Sequence, residues 1–452
     1  MVDKTVENKK SKSLTILGGG PGGLAAGYFA RKMDVPFVIY EAEKRAGGNC
    51  ITLQHSEFFF DSGAHRFHDK IPEITREIKS LMEDDLINIS VPSQIYFNKK
   101  LVDFPLSPLN LLKNLGLFSF IKAGFEVISG KLKKKDTGDN FESFALKTYG
   151  RTIASLFLLN YSKKLWGAPC NRLSANVSGK RMKGLDLKTF LKEALHGSKT
   201  KTEHLDGSFF YPRTPGIGAI TDRLERFCDS GNIKKNARIT RVFHAAGRIR
   251  AVEINGKQRV DTEYVISTLP INQFILMMDP PPAPEIMELA KSLRFRNIIL
   301  VALFLNLDSI NRAATVYFPD DEFPFTRMYE ARNRNSLMSP PEKTSAVVEI
   351  PCQLGDRYWN MDDQLLVKMV RDKLVGAGLF KDSQVIDSAV YRMSDAYPIL
   401  EIGVDMKIDK IFAFLNRFKN LRISGRNGRF LYTHVHDMMQ FGKNIMADYP
   451  FE

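Results

Sequence analysis

The sequence predicts an α/β protein whose central sheet is parallel and covered by helices. The first observation is local: an apolar run at 14–17 is followed by a glycine cluster, a helix-like stretch at 24–33 and a second apolar run at 35–40. This strand–helix–strand order is the unit from which parallel sheets are built. The second is global: strand-like and helix-like segments keep alternating along all 452 residues, of which 44% are hydrophobic. That supply of apolar residues allows two or three packed domains.

The segments that follow are mixed in type. Residues 101–130 are rich in Leu, Phe and Ile, a charged linker occupies 131–136, and 141–166 has a helical pattern. Residues 238–260 alternate around turn signals such as Asn255-Gly256, which predicts a β-meander. Further apolar strand candidates are 264–269, 298–307, 345–350 and 421–424, and a helix-like segment covers 436–447.

This order predicts a Rossmann-type nucleotide-binding domain made of separated parts of the chain, with a mixed α+β substrate domain and helical segments inserted between them. The expected parts of the nucleotide-binding domain are 12–95, 210–275 and 405–452. The expected substrate regions are 96–209, which is largely helical, and 276–404, which contains a mixed sheet.

The charge balance favours an anionic partner. The chain has 65 Lys plus Arg against 51 Asp plus Glu, a formal net charge of +14. Such an excess suits nucleic acid, an anionic membrane or a phosphorylated small molecule, and it also simply improves solubility. The polar first dozen residues lack the apolar core of a secretory signal. No run of about 18 uncharged apolar residues occurs, so the sequence predicts no transmembrane helix.

The cysteines argue against two kinds of site. Cys50, Cys170, Cys228 and Cys352 are widely spaced, with no C-x-x-C pair. This spacing argues against the common zinc and disulfide frameworks and fits reduced thiols in a cytoplasmic protein. We therefore expect no metal site.

The glycine cluster is the strongest single motif. GGGPGG satisfies G-x-G-x-x-G through Gly18, Gly20 and Gly23, directly between strand and helix. The first glycine permits a tight turn, the second lets the backbone approach a pyrophosphate, and the third lets helix and strand pack closely. The helix N-terminus then faces the phosphates. Glu41 closes the next strand, where the acid that binds a ribose hydroxyl is expected.

The residues after Glu41 favour FAD over NAD. Gly47-Gly48 follows the acid within a few residues, which resembles the extended flavoprotein fingerprint, although a glycine pair also makes ordinary turns. Gly425-Arg426 resembles the flavin-contacting tail of such proteins. NAD(P)H is one candidate reductant. The residues predicted to bind the cofactor are Gly18, Gly20, Pro21, Gly22, Gly23, Glu41, Ala42, Arg45, Gly47, Gly48, Asn49, His65, Val242, Gly425 and Arg426.

Five further segments resemble one branch of a flavoprotein superfamily. They are 61–68 (DSGAHRFH), 96–105 (YFNKKLVDFP), 161–167 (YSKKLWG), Lys180-Arg181 and 396–398 (AYP). The resemblance covers nearly the whole chain. It is to the FAD-dependent amine oxidase and protoporphyrinogen oxidase superfamily, and most to its UDP-galactopyranose mutase branch. The loop from Trp166 to the arginine is one residue longer than in that branch.

The resemblance implies roles for five residues toward substrate: His65, Trp166, Arg181, Tyr397 and Tyr432. His65 would lie beside the flavin ring, Trp166 would stack on a uracil or sugar, and Arg181 would bind a phosphate with its planar guanidinium. The two tyrosines would donate hydrogen bonds to phosphate or sugar. The alternatives are a structural histidine, packed aromatic rings and a solvated arginine. Further phosphate candidates are Arg294, Arg296 and Arg327.

Three functions stay open at this point. By resemblance, reduced FAD would act at the anomeric carbon of a nucleotide-linked or otherwise phosphorylated sugar in glycan synthesis, with no net redox change. The alternative is an oxidase or dehydrogenase of the amine oxidase or protoporphyrinogen oxidase type, which takes a hydride from an apolar substrate. The 32 Phe residues suit that alternative. A non-enzymatic FAD-binding module is the third.

The expected partner is a small-molecule substrate, most simply a nucleotide sugar, and not nucleic acid. Residues 109–135 combine Leu and Phe with a terminal lysine cluster. They are either an interfacial segment at the cytoplasmic face of an anionic membrane, or a core helix of the substrate domain that ends in basic residues. We favour the core helix. The oligomeric state is not determined by the sequence.

Overall fold

The computed structural model describes residues 13–104, 108–132, 140–177 and 208–451. Arg181, predicted to bind phosphate, lies outside the described residues. The strands are β1 Leu14–Leu17, β2 Phe37–Tyr40, β3 Thr52–His55, β4 Phe58–Asp61, β5 Leu86–Ser90, β6 Ser93–Phe97, β7 Lys100–Phe104, β8 Ser208–Pro212, β9 Ile233–Lys234, β10 Ile239–Ala245, β11 Arg248–Ile254, β12 Gln258–Asp261, β13 Tyr264–Ser267, β14 Met278–Asp279, β15 Phe295–Leu305, β16 Thr315–Tyr317, β17 Arg327–Glu330, β18 Thr344–Cys352, β19 Val385–Pro398 and β20 Leu421–Ile423.

The helices alternate with these strands along the chain. They are α1 Pro21–Lys32, α2 Pro72–Met82, α3 Pro108–Leu115, α4 Leu117–Leu132, α5 Phe141–Ile153, α6 Asn160–Trp166, α7 Gly218–Cys228, α8 Ile271–Leu276, α9 Pro284–Ser292, α10 Asp363–Gly376, α11 Val404–Leu415 and α12 Val435–Ala447. A π-helical segment, Ala154–Leu159, joins α5 to α6. The predicted helical pattern at 141–166 is therefore confirmed.

The chain divides into two compact units that alternate along the sequence. Unit 1 comprises Met1–Gly48, Ile220–Ser292 and Lys407–Glu452, and unit 2 comprises Asn49–Ala219 and Leu293–Met406, in each case as far as the residues are described. The sequence-based ranges assign 49–95 to the nucleotide-binding domain, whereas the structure groups this segment with unit 2. The reason is strand pairing, because β6 pairs with β16 and β7.

A five-stranded parallel sheet forms the centre of unit 1. Its strand order is β20-β13-β1-β2-β9, and every neighbouring pair is parallel. All four residues of β1 are buried, as expected for a central strand covered on both faces. The predicted α/β class is confirmed. The carboxyl ends of the parallel strands share one edge of the sheet, where ligands bind in such folds.

A second sheet in unit 1 contains the predicted meander. Strands β10, β11 and β12 are antiparallel neighbours. The turns between them use residues with positive φ: Ala246 (48°) and Gly247 (69°), then Asn255 (55°) and Gly256 (68°). Two consecutive residues with positive φ match the twist of the flanking strands, which is why Asn-Gly is a reliable hairpin signal.

A seven-stranded mixed sheet forms the centre of unit 2. Its order is β19-β15-β18-β17-β16-β6-β7. All eleven residues of β15 are buried, which explains why the apolar run there is continuous rather than alternating. Helix α10 packs on this core through Leu366, Val370 and Leu374, whose spacing of four residues keeps them on one face.

The apolar stretch 101–130 forms β7, α3 and α4. Leu111 is buried in a small cluster with Ile95 and Phe157, and Phe120 packs against it. Several other large apolar side chains of α4 are exposed, among them Phe118 at 85%. The expectation of a core helix is therefore correct for only one face of α4.

Candidate flavin and substrate sites

The glycine loop connects β1 to α1 in unit 1. Gly18 has a φ of 94°, and a Cβ there would lie 2.5 Å from Thr268 Oγ1. A Cβ on Gly23 would lie 1.9 Å from the carbonyl oxygen of Gly18. A side chain at Gly23 would force the backbone apart, and one at Gly18 would clash with the side chain of Thr268. The loop therefore turns tightly and brings α1 close to β1, as the motif predicts.

The space beside Gly20 is open in contrast. A Cβ on Gly20 would meet only the Cα of Gly48, at 3.8 Å. Gly20 is the N-cap of α1, no described side chain caps this helix, and its first turn contains no acidic residue. The amide groups and the positive end of the helix dipole thus face this space. This arrangement suits a pyrophosphate.

Glu41 lies directly after β2 and is buried. Its Oε2 accepts a hydrogen bond from the backbone N of Gly19 at 2.6 Å, and its Oε1 accepts one from the backbone N of Glu43 at 2.8 Å. Burial raises the pKa of Glu41, and these backbone hydrogen bonds lower it. Each carboxylate oxygen accepts more than one hydrogen bond, so Glu41 retains capacity for a ribose hydroxyl beside the loop.

The glycine pair after Glu41 folds back onto the loop. The backbone N of Gly47 donates to Gly19 O at 2.9 Å, and Gly47 and Gly48 have φ values of 108° and 52°. A Cβ on Gly48 would lie 3.1 Å from the Cα of Gly20. The pair is therefore more than an isolated turn, because it lines the open space beside Gly20.

The C-terminal tail completes the same edge of unit 1. A Cβ on Gly22 would lie 2.8 Å from the Cα of Gly425, so the two backbones are in close contact. Arg426 donates to Thr433 O through Nε at 3.0 Å and Nη2 at 2.5 Å, and its guanidinium lies 5.7 Å from the ring centroid of Tyr432. Arg426 thus orders the tail that follows Gly425.

Three other predicted cofactor residues have ordinary surroundings. Arg45 lies 3.4 Å from the carboxylate of Asp222 at the surface. Val242 is fully buried in β10, and its backbone N donates to Met277 O at 2.8 Å. Ala42 directly follows Glu41 and is half-buried. Their roles toward the cofactor stay predictions.

In unit 2, His65 lies in a loop that is anchored by hydrogen bonds. Ser62 Oγ donates to Asn49 O at 2.9 Å and lies 3.4 Å from His65 Nε2. The backbone N of Ala64 donates to Glu349 Oε1 at 2.8 Å. Asn49, predicted to bind the cofactor, therefore contributes its carbonyl to this loop, and Glu349 is a buried anchor that the sequence did not indicate.

The buried Asp61 begins the same segment and was also missed by sequence reasoning. It accepts hydrogen bonds from Thr52 Oγ1 at 2.8 Å, Tyr211 OH at 2.6 Å and Ile217 N at 2.9 Å. Burial raises the pKa of Asp61, and the hydrogen bond from Tyr211 opposes this. An acid that ends an apolar strand was the available signal, because a fully buried carboxylate is rare without partners.

Trp166 and Tyr397 meet in unit 2. Trp166 ends α6, Tyr397 lies near the end of β19, and their ring centroids are 5.6 Å apart in an edge-to-face arrangement. Trp166 is 3% exposed and Tyr397 is 5% exposed. Both aromatic residues are therefore largely packed within unit 2.

The three further arginines predicted as phosphate candidates have protein partners. Arg294 lies 2.5 Å from Glu401, and Arg327 lies 2.6 Å from Glu349. Arg296 is 7% exposed and donates to the backbone carbonyls of Lys164, Leu165 and Pro351 at 2.9, 3.1 and 2.9 Å. Arg296 thus holds the end of the helix that carries Trp166 and is not available for a phosphate.

Lys164 has an unusual environment of backbone oxygens. Its Nζ donates to the carbonyls of Phe318, Asp320, Phe323 and Phe325 at 2.6, 2.5, 3.1 and 3.3 Å. Burial lowers the pKa of Lys164 to about 8. The hydrogen bonds of Lys164 therefore hold the loop between β16 and β17 against α6.

Two classes of feature are not found in the part of the chain that the structure describes. Among the described residues, no group of three or more His, Cys, Asp or Glu side chains could hold a metal ion. No helix within the described ranges is long and apolar enough to cross a membrane. All four cysteines are buried as free thiols.

Two curated relatives illustrate the sequence similarity. Chloroplastic protoporphyrinogen oxidase 1 of Arabidopsis thaliana is 25% identical over 171 residues, which cover 36% of this chain and 32% of that protein. Coproporphyrinogen III oxidase of Bacillus subtilis strain 168 is 19% identical over 315 residues, which cover 64% of this chain and 66% of that protein. The chain thus spans less than two thirds of the length of either relative.

Two solved structures share the fold. A reduced UDP-galactopyranose mutase has a TM-score of 0.84 at 17% identity, with 97% of this chain and 95% of that chain covered. A putative protoporphyrinogen oxidase from Exiguobacterium sp. 255-15 has a TM-score of 0.76 at 15% identity, with 97% and 98% covered. The sequence also matches the family described as flavin containing amine oxidoreductase over residues 22–395. The glycine loop and Glu41 supply a site that suits the flavin cofactor of that family. The chain therefore belongs to the flavin-containing amine oxidoreductase family and is a flavoenzyme of the FAD-dependent amine oxidase superfamily.

Proposed function

We propose that this flavoenzyme acts on a nucleotide-linked or otherwise phosphorylated sugar, in redox-neutral chemistry of the mutase type. One observation supports this most. The segments YSKKLWG and AYP resemble the mutase branch independently and are far apart in the sequence, yet their aromatic residues Trp166 and Tyr397 lie 5.6 Å apart. The proximity of these two segments supports a common role for them in the substrate site.

Different residues of the chain serve the cofactor and the substrate. The glycine loop and Glu41 bind the dinucleotide part of FAD, and Arg426 orders the tail beside Gly22. Bound flavin supplies an electron-rich centre when reduced and a hydride acceptor when oxidised. In unit 2, Trp166 packs edge-to-face with Tyr397 and restrains its ring, since both are buried. We assign Trp166 as a positioning residue rather than a stacking surface, because a ring that is 3% exposed offers no open face.

The test uses the purified full chain reconstituted with FAD. The protein is reduced with dithionite under nitrogen and mixed with UDP-galactofuranose, and UDP-galactopyranose is separated chromatographically. We expect interconversion by the reduced protein and none by the oxidised protein. If the reduced protein, with stoichiometric flavin, converts neither UDP-galactofuranose nor UDP-galactopyranose, the proposed UDP-galactose reaction is wrong.

Trp166→Phe tests the positioning role, with Trp359→Phe as the matched control because these are the two tryptophans of the chain. An aromatic pair is worth about 0.5–1.5 kcal/mol, so we expect Trp166→Phe to change KM by about 2- to 10-fold. The flavin content should stay constant. An unchanged KM in Trp166→Phe, with the control also unchanged, would remove Trp166 from the site.

A second candidate function is oxidation of an apolar substrate. The observation that favours it is the sequence similarity to protoporphyrinogen and coproporphyrinogen III oxidases. The same preparation, oxidised and in air, is supplied with protoporphyrinogen, the less polar of these two porphyrinogens, while peroxide and porphyrin fluorescence are recorded. Substrate-dependent peroxide together with no sugar-nucleotide conversion would favour this function over the first.

A further inference from the structure

Helix α4 in unit 2 has apolar side chains on two different faces. Phe120 packs against the cluster around Leu111, and Ala123 and Val127 are buried. A second set of apolar side chains is exposed: Leu117 at 66%, Phe118 at 85%, Ile121 at 48%, Phe125 at 71% and Ile128 at 50%. We call these five residues the α4 stripe.

The α4 stripe is a continuous surface. With about 100° per residue, the five side chains fall within about 100° of the helix circumference, the width of a typical buried helix face. Their combined exposure equals about three complete side chains, on the order of 600 Å². This area is at the upper end of the range found for the largest apolar patch on an ordinary monomer, and such patches often mark contact sites.

The charges around the α4 stripe are basic. Helices α3 and α4 contain Lys113, Lys122 and Lys131 against a single acid, Glu126. The side chains of Lys113 and Lys122 are exposed. Glu126 is committed elsewhere, because its Oε2 accepts a hydrogen bond from the backbone N of Thr152 at 2.6 Å. The outer side of this helical pair therefore combines apolar side chains with exposed positive charge.

These features favour a lipid surface over a second copy of the chain. A symmetric dimer through the α4 stripe would bring the same lysines of both copies near one another, which costs free energy. An interfacial helix instead buries one apolar face while its basic side chains attract anionic headgroups. The net charge of +14 adds to that attraction. We propose that the α4 stripe docks this enzyme peripherally on an anionic membrane.

The experiment measures binding of the full-length, FAD-loaded protein to sedimented vesicles. Vesicles of phosphatidylcholine alone are compared with vesicles that contain about one third phosphatidylglycerol, at low and at high salt. We expect binding to the anionic vesicles, reduced by salt because surface charge attraction is screened. No binding of the wild-type protein to anionic vesicles overturns the proposal.

Two sets of variants distinguish vesicle binding through the α4 stripe from nonspecific vesicle binding. Phe118→Ser with Phe125→Ser should lower vesicle affinity at least 10-fold, whereas Leu354→Ser, at a residue of unit 2 that is 65% exposed, should not. Lys113→Glu with Lys122→Glu should weaken binding to anionic vesicles. Equal binding by the Phe118/Phe125 variant and the wild type contradicts the assignment.

Labelling gives a readout that does not depend on affinity. The four native cysteines are buried, so Phe118→Cys offers an accessible thiol for an environment-sensitive dye. On anionic vesicles we expect a blue shift from this position and none from Leu354→Cys. Sedimentation velocity without lipid tests whether a second copy of the chain covers the α4 stripe instead. A concentration-dependent dimer that is abolished by Phe118→Ser and Phe125→Ser would assign the α4 stripe to self-association and overturn membrane docking.

Discussion

Substituting alanine at two glycines of the same loop should separate cofactor binding from folding. At Gly20 a Cβ would meet only the Cα of Gly48 at 3.8 Å, an ordinary contact, so the apoprotein should fold normally. The added methyl group would instead occupy the space in front of the α1 N-terminus. Losing one backbone hydrogen bond to a charged phosphate costs about 1.5–3 kcal/mol, so FAD affinity should fall about 10- to 150-fold.

At Gly23 the same change should damage the fold itself. A Cβ there would lie 1.9 Å from the carbonyl oxygen of Gly18, and neither atom belongs to a flexible side chain. Overpacking of this kind costs about 1–3 kcal/mol or more, so the apoprotein should unfold at a lower temperature. Gly20→Ala should leave that temperature unchanged.

The assays are fluorescence titration of each apoprotein with FAD and thermal unfolding without FAD. Gly376→Ala is the control, because among the described residues the added Cβ at the end of α10 has no neighbour within 4 Å beyond its own helix backbone and adjacent residues. It should bind FAD normally. If Gly20→Ala binds FAD as tightly as the wild type, the phosphates do not approach this glycine and the interpretation of the loop is wrong. If Gly23→Ala unfolds at the wild-type temperature, the packing argument fails.

Three further changes test other features. Burial raises the pKa of Glu41, so it takes up a proton at a higher pH than an exposed glutamate; FAD affinity should fall on acidification through that range, and Glu41→Gln should flatten this dependence in a titration series. Lys164→Met should lower the free energy of unfolding in urea by about 1–3 kcal/mol, because four carbonyls lose their donor, whereas the exposed neighbour Lys163→Met should not. Tyr211→Phe should destabilise unit 2 by about 1–3 kcal/mol in the same assay, since Asp61 loses a buried hydrogen bond; an unchanged unfolding curve would show that this bond contributes little.

Much of the candidate nucleotide site could be predicted from the sequence because most of its determinants are local. The strand, the glycine loop, the helix and Glu41 follow one another between residues 14 and 41, and each has a residue type that its backbone position requires. Gly425 lies far away in sequence, and only the resemblance to flavoprotein tails indicated it. The structure adds the reason: its backbone touches that of Gly22.

The roles of charged residues in unit 2 were not predictable in the same way. Arg294, Arg296 and Arg327 look like phosphate ligands in the sequence, yet each is bound by groups elsewhere in the chain. Which carboxylate or carbonyl lies beside an arginine depends on strand register, and no local pattern encodes that pairing. Similarly, the composition of α4 indicated an apolar helix but could not show that two of its faces are apolar and only one is packed.

The contact between Gly22 and Gly425 has a consequence for how the protein is made. The glycine loop leaves the ribosome well before β20 and Gly425, which emerge about 20 to 80 s later at ordinary elongation rates. Until then the nascent loop lacks the backbone that closes beside it, and β13 lacks its edge neighbour. We therefore expect stable FAD binding only after residues 421–425 have emerged, and a chain interrupted before residue 421 should not retain FAD.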